Sequence, residues 1–206
     1  MTYLISNGVK NYNLKSLTRK LGQTAEKIVN KDISTWAKHT KNKFIKASLY
    51  KYANNKVFEV DGILITKKCI AVVEVKSVKG KISGDASDIK WTKSLGTKQF
   101  PITNPIIQND KHIEHIMNIL KIKVPIVSLV VYSNRSETIE ITNKPQHAVV
   151  IRHSELFNAL DNINNSLEYK ISDTQVKKIT KIIKSYKTNK IEDIKLHDDI
   201  TGKNKK

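Results

Sequence analysis

The chain of 206 residues is long enough for one domain with a hydrophobic core, or for one domain plus a tail. Its formal charge of +18, from 37 basic against 19 acidic residues, favours a polyanionic partner, with nucleic acid ahead of an anionic membrane. No apolar run is long enough to cross a bilayer, and residues 1–10 lack the build of a signal peptide. The single cysteine, Cys69, excludes an internal disulfide, so we expect a cytoplasmic protein without membrane contact.

A long helix is predicted near the N-terminus, after a surface arm at residues 1–13 that shows no periodicity. From about residue 15 to His39, apolar residues such as Ala25 and Ile28 recur every three to four positions, as in an amphipathic helix. Glu26 lies at the edge of this apolar stripe. It is either a helix-edge glutamate that reaches water or a carboxylate that points over a sheet.

A strand and a β-hairpin are predicted after the helix. Residues 43–52 alternate loosely between apolar and polar side chains, as in a half-buried strand. The hairpin consists of residues 57–65 and 69–78, which are rich in Val and Ile and are joined by a tight polar turn. Its second strand is apolar on both faces, which is typical of a strand in the middle of a covered sheet.

The hairpin carries charged residues at positions where a buried strand normally has none. Strict alternation predicts that Asp61 shares a face with Ile63 and Ile65, and that Glu74 and Lys76 lie side by side on the next strand. An ionised carboxylate in such a place is unfavourable unless something compensates its charge. Glu74 could pair with Lys76 alone, lie in water where the strand leaves the core, or share a divalent cation with Asp61.

The segment 79–103 is predicted to be a long loop in which lysines are interleaved with aromatic residues. Such a segment can neutralise a nucleic-acid strand and stack on its bases. The residues that we assign to nucleic-acid binding here are Lys79, Lys81, Trp91 and Lys93. For Trp91, covering the edge of a sheet is an equally good interpretation.

Asn104 and Pro105 predict the start of a helix that ends near Leu120, with Asn104 as its cap. His112 and His115 lie three positions apart in this helix and suggest a zinc site. No cysteine and no second pair of ligands is placed to complete such a site, so we interpret both histidines as surface or DNA-facing residues.

The C-terminal part of the chain predicts further strands and two helices. The apolar pattern indicates elements at residues 125–132, 138–142, 148–152 and 154–163. A capping box at Ser172 predicts a last helix that ends near Tyr186. Its lysines, among them Lys177, Lys181 and Lys184, form either a solvated face or a contact with phosphate groups.

Four motifs together resemble a known family. Asp61, followed thirteen residues later by Glu74-Val75-Lys76, is similar to the signature of the PD-(D/E)xK nucleases. The chain also resembles the nuclease-related domain (NERD) family of that superfamily. The residues that carry this resemblance are Gly22 to Glu26, Glu59 to Asp61, Glu74 to Gly80 and Asn104 to Gln108. Val60 stands where the superfamily name has a proline, which NERD members commonly lack as well. The likeness covers roughly residues 17–163.

The resemblance implies a fold of class α/β with a PD-(D/E)xK, or restriction-endonuclease-like, core. In such a core a mixed β-sheet is flanked by helices, and here a C-terminal helical extension is added. The predicted order of elements is similar to the αβββαβ core of that superfamily. On this basis the nuclease-like domain spans residues 14–166, a basic helix packs on it at 167–190, and residues 191–206 are predicted to be a disordered tail.

The resemblance also implies a metal-dependent nuclease that hydrolyses phosphodiester bonds of DNA. Its cofactor would be Mg²⁺, with Mn²⁺ as a substitute. Asp61 and Glu74 would ligate the metal directly, Glu26 directly or through water, and Val75 through its backbone carbonyl.

Two further residues acquire catalytic roles from the resemblance. Lys76 would orient or deprotonate the attacking water, or steady the scissile phosphate. Gln108 would position Lys76 or a phosphate oxygen. The alternatives are a non-catalytic DNA-binding protein that keeps the nuclease fold, and a nuclease for RNA, which would use the same chemistry. As protein partners we consider a second copy of the chain or a helicase-type protein.

Overall fold

The structure is a computed structural model that describes residues 2–52 and 56–201, with side chains from residue 19 onward. This part of the chain forms two β-sheets and the helices that cover them. The helices are α1 (Thr2–His39), α2 (Pro105–Leu120), α3 (Leu156–Ser166), α4 (Asp173–Ser185) and α5 (Ile191–Ile200). The strands are β1 (Lys43–Tyr52), β2 (Lys56–Ile65), β3 (Ile70–Lys76), β4 (Gly80–Asp85), β5 (Lys90–Leu95), β6 (Lys98–Thr103), β7 (Ile126–Tyr132), β8 (Ser136–Thr142), β9 (Ala148–Arg152) and β10 (Lys187–Thr188).

The larger sheet has six strands in the order β10-β1-β2-β3-β7-β9. Strands β1, β2 and β3 are antiparallel neighbours, whereas β7 runs parallel to β3 and β9 runs parallel to β7. Helices α1 and α3 pack on one face of this sheet, and α2 and α4 pack on the other. Strand β3 is therefore covered on both faces, as its Val-rich sequence predicts. The prediction of a mixed sheet flanked by helices is confirmed.

The segment 79–103 forms three strands of a second sheet, so the prediction of a loop is wrong. Strands β4, β5 and β6 form an antiparallel meander, and β8 pairs in parallel with β4, which gives the order β6-β5-β4-β8. The inner face of this sheet packs Ile82 and Trp91 against Ile106 of α2 and Tyr132 of β7. Lysines and glycines separate the apolar residues of these short strands, so the alternation that identifies a strand is weak in the sequence.

Gly80 allows the chain to turn from β3 into the second sheet, four residues after Lys76. Its φ is +98°, in the region that favours glycine, and an added Cβ would lie 2.2 Å from the carbonyl oxygen of Ser94. Any other residue would therefore displace β5 from β4 next to the predicted site.

The N-terminal helix differs from the prediction in its start and in its buried face. Helix α1 begins at Thr2, and so includes residues 2–13, which the sequence predicts as an arm. Val29 and Ile33 are 1% and 0% exposed, whereas Ile28, predicted to be in the buried stripe, is 47% exposed. The buried stripe is thus rotated toward the flank that carries Glu26.

The C-terminal residues 191–200 form α5, so the prediction of a disordered tail is wrong for them. Asp193 is buried, and its two carboxylate oxygens accept hydrogen bonds from Lys51 Nζ and Thr188 Oγ1, both at 2.6 Å. These bonds join α5 to β1 and β10 by polar contacts that an apolar pattern does not reveal. Residues 202–206 of the predicted tail lie outside the described residues.

Helix α4 begins with the predicted capping box at Ser172 and packs through Val176, Ile179 and Ile183 on the same face of the large sheet as α2. In the described ranges, no helix combines the length and the apolar character that a membrane span requires.

Candidate active site

Glu74 is a buried carboxylate near the end of β3, with 3% exposure. Lys76 Nζ lies 2.5 Å from its Oε1, and Nε2 of His112 on α2 lies 3.5 Å from its Oε2. Burial by itself raises the pKa of Glu74, but the hydrogen bond from His112 and the charge of Lys76 outweigh it and hold the pKa below its ordinary value. The protein therefore keeps a negative charge at this buried position by surrounding it with donors.

Asp61 comes close to Glu74 because β2 leaves β3 at this point. The ladder between the two strands runs from the Ile65–Ile70 pair to the Gly62–Val73 pair and ends there. Beyond it, Asp61 Oδ2 accepts the backbone N–H of Val75 at 2.7 Å, so the carboxylate points along the sheet toward β3. Burial and the negative charge of Glu74 raise the pKa of Asp61 well above its usual value, and the Val75 N–H offsets only part of this.

Glu26 approaches Asp61 from the other face of the sheet. Helix α1 packs opposite α2, so Glu26 and Glu74 come from opposite sides of Asp61. The charge of Glu26 also raises the pKa of Asp61, after the larger effects of burial and Glu74. Cavities of about 420 and 500 Å³ open beside Glu26. The smaller one is lined by three lysines that sequence reasoning did not select, Lys27, Lys31 and Lys46.

The motif from Asn104 to Gln108 holds Lys76 from α2. Asn104 is fully buried, accepts a backbone N–H of the first helical turn at 2.8 Å, and donates to the carbonyl oxygens of Ala86 and Asp88 at 3.0 and 2.7 Å. These bonds tie the start of α2 to the turn between β4 and β5. Gln108, one turn further on, accepts a hydrogen bond from Lys76 Nζ at 2.8 Å.

The two histidines of α2 have separate partners. His112 lies against Glu74, while His115 Nδ1 lies 2.7 Å from the hydroxyl of Tyr52. Both side chains are half-buried and are therefore not fully exposed surface residues, while their interpretation as DNA-facing residues stays a prediction. His112 belongs to the site but was missed, although its spacing of four from Gln108 puts both residues on one face of the helix.

The predicted nucleic-acid contacts in segment 79–103 do not form one surface. Trp91 is 1% exposed, and its indole N–H donates to a backbone carbonyl at the end of β4 at 2.7 Å, so its assignment as a stacking residue is wrong. Lys93 pairs with Ile82 and shares the face of Trp91, whereas Lys81, adjacent to Ile82, points to the opposite face. Lys79 is exposed just before β4.

Three of the predicted lysines share the exposed face of α4, namely Lys177, Lys181 and Lys184. Together with Lys43 of β1 they line a cavity of about 310 Å³. Lys43 pairs with Ile65, which lies four residues along β2 from Asp61, or about 13 Å at the usual rise of a strand. The structure therefore groups these lysines at the other end of the hairpin from the acidic residues.

Two acidic residues of the site could contribute oxygen ligands to a hard cation such as Mg²⁺. Asp61 and Glu74 supply carboxylate oxygens, and their mutual repulsion, seen in the raised pKa of Asp61, is what a divalent cation would relieve. Among the described residues, no three His, Cys, Asp or Glu side chains gather closely enough to enclose a metal ion by themselves. Asp61 and Glu74 could therefore hold a cation only together with ligands from water or from the backbone.

The fold and the site define a mixed α/β protein in which a buried glutamate, a half-buried aspartate and a lysine lie where two neighbouring strands separate. The family model for the nuclease-related domain (NERD) matches residues 21–133, more than half of the chain, and the protein belongs to this family. It is also 27% identical over 93 residues to an uncharacterized protein of Bacillus anthracis, a match that covers 44% of each chain. No solved structure matches the chain.

Proposed function

We propose that this protein is a metal-dependent nuclease that hydrolyses phosphodiester bonds of DNA and has a PD-(D/E)xK core. The observation that carries the proposal is the meeting of Asp61, Glu74 and Lys76 where β2 leaves β3. A half-buried carboxylate next to a buried one destabilises a fold, and such clusters of perturbed groups concentrate at functional sites. The order α1-β1-β2-β3-α2-β7 supports this core, because it has the αβββαβ order with three strands of the second sheet inserted before α2.

In this proposal Asp61 and Glu74 would be the direct ligands of Mg²⁺, or of Mn²⁺ as its substitute. When bound, the cation lowers the pKa of a water, neutralises phosphate oxygens and stabilises the leaving oxygen. Glu26 contributes through a water. Val75 contributes its carbonyl, which in a strand points the same way as its N–H, here toward Asp61.

Lys76 acts on the substrate side, where it orients the attacking water or steadies the scissile phosphate. Its side chain is 25% exposed, so a substrate can reach the ammonium group. Glu74 and Gln108 hold Nζ from two directions at 2.5 and 2.8 Å. A group that is already held in place loses little freedom when the reaction occurs, which is the advantage of a preorganised site.

Two lysine-lined cavities, one beside Glu26 and one at the other end of the hairpin, support a nucleic-acid substrate. One, beside Glu26, has Lys27, Lys31 and Lys46 in its walls, and the other, with Lys181 and its neighbours, lies on α4. Exposed lysines that neutralise phosphates provide affinity without reading sequence. The unpaired, buried thiol of Cys69 fits a reducing compartment, and we place the protein in the cytoplasm.

The test is cleavage of linear, circular and single-stranded DNA and of RNA by the purified full chain, each with Mg²⁺, Mn²⁺ or EDTA. We expect cleavage of DNA that requires the metal and is lost in Asp61→Asn and Lys76→Met. The matched control is Asp88→Asn, an exposed aspartate in the turn before β5, which should cleave like the wild type.

Each alternative gives a different result in the same assay. Binding of DNA without cleavage under any metal would identify a non-catalytic binding protein and refute the proposal. Cleavage of RNA alone would keep the chemistry and change the substrate. Full activity of Asp61→Asn would show that the acidic cluster is not the catalytic site.

A further inference from the structure

Asn30 connects α1 to the large sheet through hydrogen bonds at the position of Asp61. It lies one helical turn after Glu26 and is 6% exposed. Its Nδ2 donates to the carbonyl oxygens of Glu26 and Asp61, both at 2.9 Å. Its Oδ1 accepts the backbone N–H of Ala47 at 3.0 Å. Every hydrogen-bonding atom of this buried carboxamide therefore has a partner, and two of the partners lie on different strands.

The carboxamide takes the place of a backbone pair in the ladder between β1 and β2. The register contains Lys46–Gly62 and Ser48–Val60, and the pair between them, Ala47–Asp61, is absent from the ladder. In a regular antiparallel ladder, every second pair of opposite residues exchanges hydrogen bonds between its N–H and C=O groups. Here the Ala47 N–H and the Asp61 C=O each bond to Asn30, which has the same donor and acceptor as a peptide group.

The alternation of side chains shifts by one position on both strands at this insertion. On β1, Ile45 and Tyr50 belong to the same core, although an odd separation would put them on opposite faces. On β2, Val60 belongs to the same core as Ile63. The strict alternation predicted along this strand is therefore wrong, because it breaks between Val60 and Ile63.

This local shift is what directs Asp61 toward β3. A residue in regular alternation projects from a face of the sheet, whereas the Asp61 carboxylate accepts the Val75 N–H, a donor that points within the sheet. The same direction points the carboxylate toward β3, the strand that carries Glu74.

We propose that Asn30 is a positioning residue that holds the backbone of Asp61 out of the ladder and so aims its carboxylate at Val75 and Glu74. The catalytic consequence of this role rests on the proposed nuclease function, but the geometry does not. An aspartate at position 30 keeps an acceptor for Ala47 but has no donor for Asp61. Alanine removes both bonds and leaves the two backbone groups without partners.

A merely structural role of Asn30 would be to dock α1 on the sheet. The experiment must distinguish this role from the positioning of Asp61. Amide hydrogen exchange of the metal-free full chain, followed by NMR, reports the Val75 N–H directly. In Asn30→Asp we expect exchange at Val75 to rise about tenfold relative to Val72 in the same strand, because loss of the hydrogen bond to Asp61 lets its carboxylate move. Asn30→Ala should show this and also faster exchange at Ala47.

The matched control is Thr66→Val, at the other end of β2. Thr66 is fully buried and its hydroxyl holds the hairpin turn by accepting the Cys69 N–H at 3.0 Å. This variant should lose stability without selective exchange at Val75. On saturating DNA with Mn²⁺, kcat of the Asn30 variants should fall about 100-fold, as expected for a misplaced catalytic group, with KM changed much less. Thr66→Val should keep its kcat.

The outcomes distinguish this inference from the proposed function. Unchanged relative exchange at Val75 in both Asn30 variants overturns the positioning role, whatever happens to kcat. If Asn30→Ala does not fold, Asn30→Asp decides alone, since it keeps the bond to Ala47. Selective exchange at Val75 in a protein that cleaves no nucleic acid supports the positioning of Asp61 and refutes the nuclease.

Discussion

The buried pair of Glu74 and Lys76 should contribute measurably to the stability of the metal-free protein, and Lys76→Met tests this. Methionine keeps the apolar stem of lysine and removes only its charge and donors. Glu74 would then remain in the interior with His112 as its nearest donor, 3.5 Å away. A buried carboxylate that has lost its main partner is the situation in which removal of a charge is most destabilising.

The size of the effect follows from the exposure of the two side chains. Breaking a fully buried ion pair by removing one partner costs about 3 to 5 kcal/mol. The side chains of Glu74 and Lys76 are 4% and 25% exposed, so water screens the lysine in part. We therefore expect a loss of about 2 to 3 kcal/mol in the free energy of unfolding, or about 5 to 10 °C in Tm for a chain of this length.

The assay is urea unfolding at pH 7 in EDTA, with Lys81→Met as a control for an exposed lysine in a strand. The double variant Glu74→Gln/Lys76→Met should recover most of the loss, since neither charge remains. Hydrogen-bond donors hold the pKa of Glu74 below its ordinary value despite burial. The ion pair therefore stabilises the fold at pH values above the ordinary glutamate pKa, and this stabilisation disappears as pH falls through the lowered pKa of Glu74. Equal stability of wild type and Lys76→Met at pH 7 would refute the reasoning.

Two further predictions concern Asp61 and the lysines of α4. Because burial and the charge of Glu74 raise the pKa of Asp61, its ionisation weakens the fold as pH rises through that raised value. Metal-free Asp61→Asn should therefore have a higher Tm than the wild type at pH 7 to 8. This gain should disappear below about pH 4, where the carboxyl is protonated in both the folded and the unfolded protein. A Tm at pH 7 to 8 no higher than that of wild type would contradict this. Changing Lys177, Lys181 and Lys184 to Gln should reduce the slope of log affinity against log salt by about 0.9 per phosphate contact on duplex DNA, measured by fluorescence anisotropy, while kcat stays the same. An unchanged slope would locate the DNA beside Glu26 instead.

Local pattern in the sequence was sufficient to predict the hairpin and its charged residues. Asp61 and Glu74 are joined by a tight turn, and Lys76 follows Glu74 by two positions on one strand, so strand geometry alone predicts that they meet. The caps at Asn104 and Ser172 were also predicted, because a capping side chain bonds to backbone groups only two or three residues away. These features depend on contacts that are close along the chain.

The second sheet and α5 were not predicted, because their stabilising contacts join segments that are far apart. Trp91 is buried by contacts with α2 and β7, and nothing in its own segment distinguishes it from an exposed aromatic residue. Asp193 is buried because Lys51, more than a hundred residues earlier, pairs with it. From the sequence alone, the segments that contain Trp91 and Asp193 are both predicted to be polar and exposed.

The orientation of Asp61 is the clearest case of a property that only the tertiary structure decided. Periodicity assigns a strand residue to one face or the other, and has no means of describing a side chain from a helix that replaces a backbone pair. Asn30 does this across 31 positions to Asp61, and it can do so only once α1 has packed on the sheet. The sequence by itself determined that Asp61, Glu74 and Lys76 lie on neighbouring strands of one hairpin, whereas the packing of α1 against two strands decided where the Asp61 carboxylate points.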